Sequence, residues 1–517
     1  MGGTVYFRRS YPAPMKASLF VLLCLPCWLF GQSPLWSAAH PLPENALPAG
    51  VCWSGDGVFV GVHTLAVQAG AIFEKFSATD GRLLDRREIV FEKLTGLEEV
   101  FSWRGRIFLL VARYRYNRTA ELQYAAVQQP DFRIPPDSME LSLRALDPIT
   151  LLPDGDSVCL VPMHFRENKS HRAVLAFSPD SSRMACALLP DYPHERFPGT
   201  TWLLDTPGDR FRYAVVDDRL DLLRTDTAQL PVRRLGEQVR IRDWAVDNRG
   251  DVAMAADVCV REGDYRPGEP PLRPTLFFLP LGEQKTRFYE IQGSEYLHSL
   301  TLRFDAADRL YCTALYSPTD HGHSRGVFWL KIDAAKEKIL QRKLVPFPDT
   351  VLSPLIGQRR AKRSGQLEWL DLYHVERCDD GGMLFVAEVQ QAINEAYQYG
   401  LTLVFRLQPN GDWAWGKGFP KSLSETGAAV QFLSFSLKKK EKKHYLFFNQ
   451  STRLDGSAVC YELDDQGNCR RTAQWKHDDH GQFLLCPTLT RTSPNGRFVL
   501  LGLKRQRGQF KWGFFQP

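Results

Sequence analysis

A few places in the sequence could do chemistry. GHSRG (322–326) has the G-x-S-x-G spacing, with Ser324 where an acyl-transfer nucleophile would stand. That chemistry needs a strand, a sharp turn and then a helix, so that the hydroxyl lies exposed beside oxyanion donors. Here the strand-like run GVFWLKID follows, and no hydrolase-type segment comes after it, so Ser324 is not read as a nucleophile. His321 and His323, and His477 and His480 with Asp478 and Asp479, offer metal-ligating atoms. A metal needs three or four convergent ligands, and both groups read as solvated loops. Asp464, Asp465 and Asn468 in LDDQGN copy part of a calcium loop, but the rest of that pattern is missing and a hairpin turn is the better reading. No catalytic, cofactor-binding or metal-binding residue can therefore be assigned.

Two basic runs stand out, KKKEKKH (438–444) and QRRAKRSG (358–365). The first reads as a hydrated hairpin tip and the second as an inter-strand loop. An acidic polysaccharide or another anionic surface could meet them, whereas nucleic acid would need interleaved aromatics and overall basicity. Trp53, Trp103, Trp202, Trp244, Trp329, Trp369, Trp413, Trp415, Trp475 and Trp512 form a heavy aromatic load. In a sugar binder such rings face the ligand, but most here fall inside strand-like runs, where packing is the default. Trp413 and Trp415 alternate, which predicts that both point to one face. Asn117, Asn168 and Asn449 head N-x-S/T sequons, and Asp137 and Asp226 head short D-S/T-apolar sites; motifs so short carry little weight.

The elements that must position these residues repeat. An apolar run leads into a tight polar turn and a second apolar run leaves it. This phrase appears as CWSGDGVFVGV (52–62), FSWRGRIFLLVA (101–112), LAFSPDSSRMACAL (175–188) and WAVDNRGDVAMAADV (244–258). It returns as LRFDAADRLYCTAL (302–315), HVERCDDGGMLFVAEV (374–389), LSFSLKKKEKKHYLFF (433–448) and TRTSPNGRFVLLGL (490–503). Each reads as a β-hairpin, because Asp, Asn, Gly and Ser accept φ > 0 or cap a turn. A second hairpin type lies between them, as in FRYAVVDDRLDLLRT (211–225) and LVFRLQPNGDWAWGKGF (403–419). Two hairpins per period make four strands, the unit of a β-propeller blade. The anchors fall about 58 residues apart on average, which predicts eight blades, with seven as the alternative. After the last anchor only one strand fits, so the chain just after its leader is expected to supply the missing one. Two or three separate β-sandwiches are the competing architecture, but no linker-like break appears; REGDYRPGEPPLRP (261–274) reads as an inter-strand loop. The best helical candidate, VAEVQQAINEAYQYG (386–400), also reads as a long strand and a loop.

The chain has 517 residues, 44% hydrophobic and 24% charged, with 38 Gly and 33 Pro, which excludes a disordered or coiled-coil protein. Arg8, Arg9 and Lys16 precede an apolar run from Ala17 to Phe30. This is the length of a signal-peptide core and too short for a comfortable membrane span. Residues 1–31 are expected to be cleaved, with an alternative cut after Ala39, leaving one propeller domain over 40–517. Without the leader 62 basic face 59 acidic residues, a balance of +3 that gives no support to a nucleic-acid partner. Nine cysteines remain, Cys52, Cys159, Cys186, Cys259, Cys312, Cys378, Cys460, Cys469 and Cys486; their odd number and irregular spacing favour buried thiols over a disulfide framework.

FSPDSSRMA, FRYAVVDDRLDLLRTDTAQLP, DNRGDVAMA, LYSPTDHGHSRGVFWLKID, CDDGGMLFVAE and GLTLVFRLQPNGDWAWGKGFPK occur in this order. As a set they resemble a group of uncharacterised exported β-propeller-like proteins of Bacteroidetes-type bacteria, over about residues 150–450. The resemblance implies a secreted propeller-like fold and carries no catalytic residues with it.

The expectation is an all-β protein, exported to the periplasm, the outer membrane or the medium. It would be a monomer without a mature transmembrane segment that binds a protein or glycan on one face of the ring. The alternative is a glycosidase- or lyase-like enzyme with its site in the central channel. Carboxylates converging at the axis would favour the enzyme; an apolar or scattered polar lining would not.

Overall fold

In the computed structural model, each of the eight turn phrases closes the hairpin between the first two strands of an antiparallel sheet. The structure describes residues 34–517 except 43–45, 55–56, 66–69, 93–94, 116–137, 165–170, 191–209, 230–237, 260–271, 284–285, 292, 294, 319–322, 337, 394–395, 427–431, 453–455, 477–482 and 505–507. The expected leader, 1–31, lies outside the described residues. The first seven sheets hold residues 46–90, 95–164, 171–229, 238–290, 296–346, 370–426 and 435–476, each with four strands in sequence order. They are blades 1 to 7 of an eight-bladed β-propeller.

Blade 8 is assembled from both ends of the described chain. Its inner strands come from residues 483–504 and its third strand is Gln509–Phe515. The outermost position is taken by Leu35–Trp36 and His40–Pro41, both antiparallel to Gln509–Phe515. The strand missing at the C-terminal side is thus supplied by residues 35–41, as the repeat count predicted. Glycine makes the seat for it. A Cβ on Gly513 would come within 2.8 Å of the Trp36 ring, so only a residue without one lets the indole lie flat there. Trp36 then meets Trp475 of blade 7 edge-on at 6.5 Å, and His40 packs beside Phe76 of blade 1.

The core lies between blades rather than inside them. A blade is one sheet thick and must bury both faces against its neighbours. Accordingly, every adjacent pair shares an apolar cluster. Blades 5 and 6 contribute Trp329, Phe385 and Phe405, and blades 8 and 1 contribute Trp512, Phe59 and Phe76. The other six interfaces are built the same way. Trp53, Trp103, Trp244, Trp413, Trp415 and Trp475 also belong to these contacts, as their strand-like contexts implied. The described cysteines whose side chains are placed are free thiols, with Cys159 and Cys469 exposed and the other six buried.

The turns use one device repeatedly. Asp247 Oδ1 accepts the amide N–H groups of Arg249, Gly250 and Asp251 at 2.8–2.9 Å. Asp305, Asp217 and Asp464 do the same in their own turns. A short carboxylate thus satisfies donors that a tight turn cannot pair internally. Turns also link blades: Asn248 Oδ1 accepts from the Asp180 N–H, and its own N–H donates to Asp308 Oδ1.

Three expectations need correction. QRRAKRSG is helical: α1 (Asp349–Ile356) and α2 (Gln358–Ser364) connect blades 5 and 6. α1 lies on the outer strand of blade 6, where a Cβ on Gly418 would stand 2.2 Å from Leu355, so two helical turns cover that face. The pair escapes sequence reading because it is short and Pro354 interrupts it. The helical option for 386–400 also falls, since these residues belong to the strands Met383–Ile393 and Ala396–Leu407. Finally, Trp413 and Trp415 face opposite ways. Trp413 pairs with Leu407 and Trp415 with Arg406, so Ala414 is a β-bulge. The extra residue flips the alternation. Trp413 stacks on Phe405 at 5.3 Å, while Trp415 sits in the cluster with blade 7 and donates Nε1–H to the Asp465 carbonyl.

Candidate functional site

The first strand of each blade has a partner on one side only, and its free edge faces the ring axis. Axial chemistry must come from these eight strands. The blades can be aligned on the residue where the second strand first packs against the preceding blade, such as Phe59, Val252, Leu310, Met383 or Phe498. The next second-strand residue then pairs with one first-strand residue in every blade. In blade order these are Cys52, Phe101, Ala176, Ala245, Arg303, Glu376, Lys438 and Arg491. They form one layer around the axis. Blades 1–4 give it apolar or thiol side chains, and blades 5–8 give it only charged ones.

A second layer lies two residues earlier on the same strands. It includes Gly50, Glu99, Asp243, Thr301 and His374. Each follows a β-bulge directly, and bulges re-aim side chains. Three of the bulged residues turn back onto their own blades, whereas Ser299 donates Oγ–H to Asp371 of blade 6. Tyr114 donates to Glu98, Arg242 Nε donates to Asp257 Oδ2 at 2.5 Å, and Tyr373 donates to Gln390.

The charged half has a definite wiring. Arg303 donates Nε–H to the Val375 carbonyl of the next blade at 3.2 Å and an Nη1–H to the carbonyl of Leu302. Its Nη1 also meets Asp243 Oδ2 of the preceding blade at 3.2 Å. A quarter of the Asp243 side chain is reached by water although protein surrounds it, as expected of a channel wall. Burial raises the pKa of Asp243 more than Arg303 and two amide N–H groups lower it. Glu376 lies 3.5 Å from His374 Nε2 and 3.6 Å from His444 Nε2. Burial alone would raise its pKa, but the two imidazoles outweigh burial and hold it well below the ordinary carboxylate range.

Lys438 and Arg491 are wired differently. Arg491 repeats the grip of Arg303: Nε–H to the Val51 carbonyl of the next blade at 3.1 Å, and Nη1 to its own preceding carbonyl, Thr490, at 3.0 Å. The carbonyl of Thr488 adds a third contact at 2.9 Å. Among the described residues, no carboxylate lies within ion-pairing distance of Arg491. Where blade 4 offers Asp243 to Arg303, the residue of blade 7 in the same register is Ser436, and the charged residue of that blade, Lys438, stands in the layer of Arg491 itself. Burial and then the Arg491 charge push the Lys438 pKa down to about 8, against an opposing pull from Glu376. Lys438 has no hydrogen-bond or ion-pair partner among the described residues. KKKEKKH is therefore not wholly a hydrated tip. The tip is Glu441 and Lys442, Lys439 pairs with Asp379 at 2.8 Å, Lys443 with Glu462 at 3.0 Å, and Lys438 is drawn to the axis.

The residues that the sequence singled out lie elsewhere. Ser324 is fully buried on the two-residue strand His323–Ser324, followed by the strand Gly326–Asp333. Its Oγ is 3.2 Å from Nε2 of His298, a residue that no motif marked. The pair has the nucleophile–base spacing, but a hydroxyl with no exposed surface cannot meet a substrate. Asn449 is buried and donates to the carbonyls of Phe432 and Leu485, which makes it structural. His321, His477, His480, Asp478, Asp479, Trp202, Asn117, Asn168 and Asp137 lie outside the described residues. Among the described residues no three His, Cys, Asp or Glu side chains are placed to hold a metal ion, and no helix is long and apolar enough to cross a membrane.

No protein-family model and no curated protein matches the chain. Solved structures similar to it include a quinohemoprotein alcohol dehydrogenase from Pseudomonas putida, at 10% identity and a TM-score of 0.43, covering 92% of this chain and 75% of that one. The WD40 domain of SCAP from fission yeast is similar at 7% identity and a TM-score of 0.40, covering 93% and 94%. A prolyl endopeptidase structure is similar at 13% identity and a TM-score of 0.37; the chain spans 46% of its length. These likenesses are of fold alone.

Proposed function

We propose that this propeller is an exported, non-enzymatic binding or scaffold protein of the cell envelope, and that its protein or glycan partner engages the ring at the axial channel. One observation carries the reading: the charged half of the axial layer holds two cations with no carboxylate partner. A fold gains nothing from leaving such charges without a counter-charge, whereas a ligand site does. The basic, apolar leader at residues 1–31 supports export. The test is fractionation and cross-linked pull-down from intact cells expressing the full chain with its own leader, with a glycan array run beside it. Export and one enriched partner or glycan class are expected. Retention in the cytoplasm, or an empty prey list with a blank array, would overturn the proposal.

A glycosidase- or lyase-like enzyme is the second reading, favoured by the opposite shifts of Asp243 and Glu376. Carboxylates whose pKa values are pushed apart suit acid and base roles. Both are already engaged, however, one by Arg303 and the other by two imidazoles. Turnover of any polysaccharide that disappears in Asp243→Asn would establish this reading over the first.

A further inference from the structure

We propose that Lys438 and Arg491 form an oxyanion-binding site in the axial channel, for a carboxylate, phosphate or sulfate group carried by the ligand. The inference rests on the binding reading above and names the chemistry of its site. The molecule contains its own control. Arg303 and Arg491 occupy the same ring position with the same two backbone grips. In blade 5 the guanidinium is completed by a carboxylate, Asp243 Oδ2. In blade 8 the two grips are kept and the carbonyl of Thr488 takes the remaining Nη1 hydrogen, so the guanidinium is equally fixed, but no carboxylate balances its charge and the neighbouring blade places a second cation, Lys438, in the same layer. A carboxylate or ester oxyanion from outside would instead meet Nη2 of Arg491, which no carbonyl takes among the described residues, together with the Lys438 ammonium.

The parts suit that task. A guanidinium clamped by the carbonyls of Val51, Thr488 and Thr490 through Nε and Nη1 loses no further freedom on binding and keeps the two Nη2 N–H groups for an oxyanion. The ammonium of Lys438 adds a mobile point charge. Both groups are partly desolvated, so one oxyanion would gain more from them than from surface lysines. The opposite side of the layer, Phe101, Ala176 and Ala245, carries no charge to compete. Glu376 faces Lys438 from blade 6 and is itself held by His374 and His444, while Glu99 acts on Arg491 from blade 2.

The test is calorimetric titration of the mature chain, at low ionic strength and pH 7, with inorganic phosphate, sulfate and glucuronate, and with glucose as the neutral control. At least one anion should bind, and which one tells an ester group from a carboxylate. Lys438→Met and Arg491→Met should each weaken binding by about tenfold or more, one charge-assisted contact being worth that much. Lys439→Met should leave it unchanged, since Lys439 is spent on Asp379. Arg491→Met could fail to fold, but Lys438→Met removes a destabilising charge and keeps the test decisive. Binding should also weaken above pH 8 as Lys438 loses its proton. No heat from any anion up to about 10 mM, or equal affinity in Lys438→Met, would overturn the site. If the anions fail while an envelope partner is still captured, the binding reading stands and only the oxyanion site falls.

Discussion

The two halves of the axial layer solve the same packing problem with opposite chemistry. Blades 1–4 place Cys52, Phe101, Ala176 and Ala245 there, each buried against the next blade. Blades 5–8 place Arg303, Glu376, Lys438 and Arg491 at the same register, and all four keep some water contact. The backbone is alike in both halves, so the charges are not needed to build the ring. Within the charged half the contrast sharpens. Arg303 and Glu376 meet opposite charges within the protein, Arg491 meets carbonyls only, and Lys438 has no hydrogen-bond or ion-pair partner among the described residues. Packing and internal pairing account for six of the eight side chains, and the other two, Lys438 and Arg491, are the ones assigned above to the proposed ligand site.

The strongest way to break this comparison is to put a charge where the apolar half has none. Ala245→Lys should destabilise the fold by about 3–5 kcal/mol, since a side chain 7% exposed among Leu276, Leu302 and Cys312 gives an ammonium neither room nor partner. A cost below about 1 kcal/mol in urea unfolding would show that the apolar half tolerates charge as readily as the other. The next largest effect compares two equivalent arginines. Arg303→Met strands Asp243 and should cost about 1–3 kcal/mol, the part-exposed end of the range for a broken pair. Arg491→Met strands no carboxylate and should cost measurably less. Equal losses would mean that the backbone grips, and not the pairing, carry the difference.

The ring itself was legible because its turns announce themselves. SPDSS, DNRGD and SPNGR each spell a hairpin whose Asp or Ser must cap backbone donors, and counting them gave the blades and the closing strand. The axial layer was hidden by unequal turns. Blades 2 and 7 turn over two residues, Arg104–Gly105 and Glu441–Lys442, whereas Val246 and Val252 enclose a longer loop. Aligned on their turns, the eight phrases put Lys438 at a tip; aligned on strand register they put it at the axis. Bulges hid more. One extra residue at Ala414 sends Trp413 and Trp415 to different interfaces, and no alternation rule can see an insertion that leaves the sequence hydrophobic. Ser324 is the reverse case, a motif whose sequence context already argued against a nucleophile. Its hydroxyl did meet a histidine, but burial removed the chemistry.

Lys438 offers a cleaner measurement because its effect should have the unusual sign. Its folded pKa, about 8, lies below the ordinary lysine value. Below pH 8 the lysine is charged in both states, and the folded state bears the cost of holding it. Between pH 8 and the unfolded pKa the unfolded chain binds more protons, so stability attributable to this group rises with pH. Lys438→Met should therefore stabilise the protein by on the order of 1–2 kcal/mol at pH 7, and the gain should fade toward pH 10. A destabilised variant at pH 7 would mean that Lys438 has a structural partner. Saturating anion should shrink the same gain, because the ligand supplies the missing charge.

The smallest effect tests whether the satisfied members of the charged half are as settled as they look. Glu376 has a folded pKa held down by His374 and His444, so its contribution to stability is complete above the unfolded carboxylate pKa and is lost as pH falls below it. In Glu376→Gln the acid limb of the stability curve should flatten by about 1 kcal/mol between pH 5 and pH 3, with little change in its shape at pH 7 and above. The same substitution removes the one carboxylate acting on Lys438 from blade 6. Lys438 should then titrate lower and hold an added oxyanion more tightly at pH 6, by a few-fold, because no internal anion competes for it. Unchanged anion affinity in Glu376→Gln would place the ligand on Arg491 alone. A weakened affinity would assign Glu376 to orienting the ammonium rather than to neutralising it.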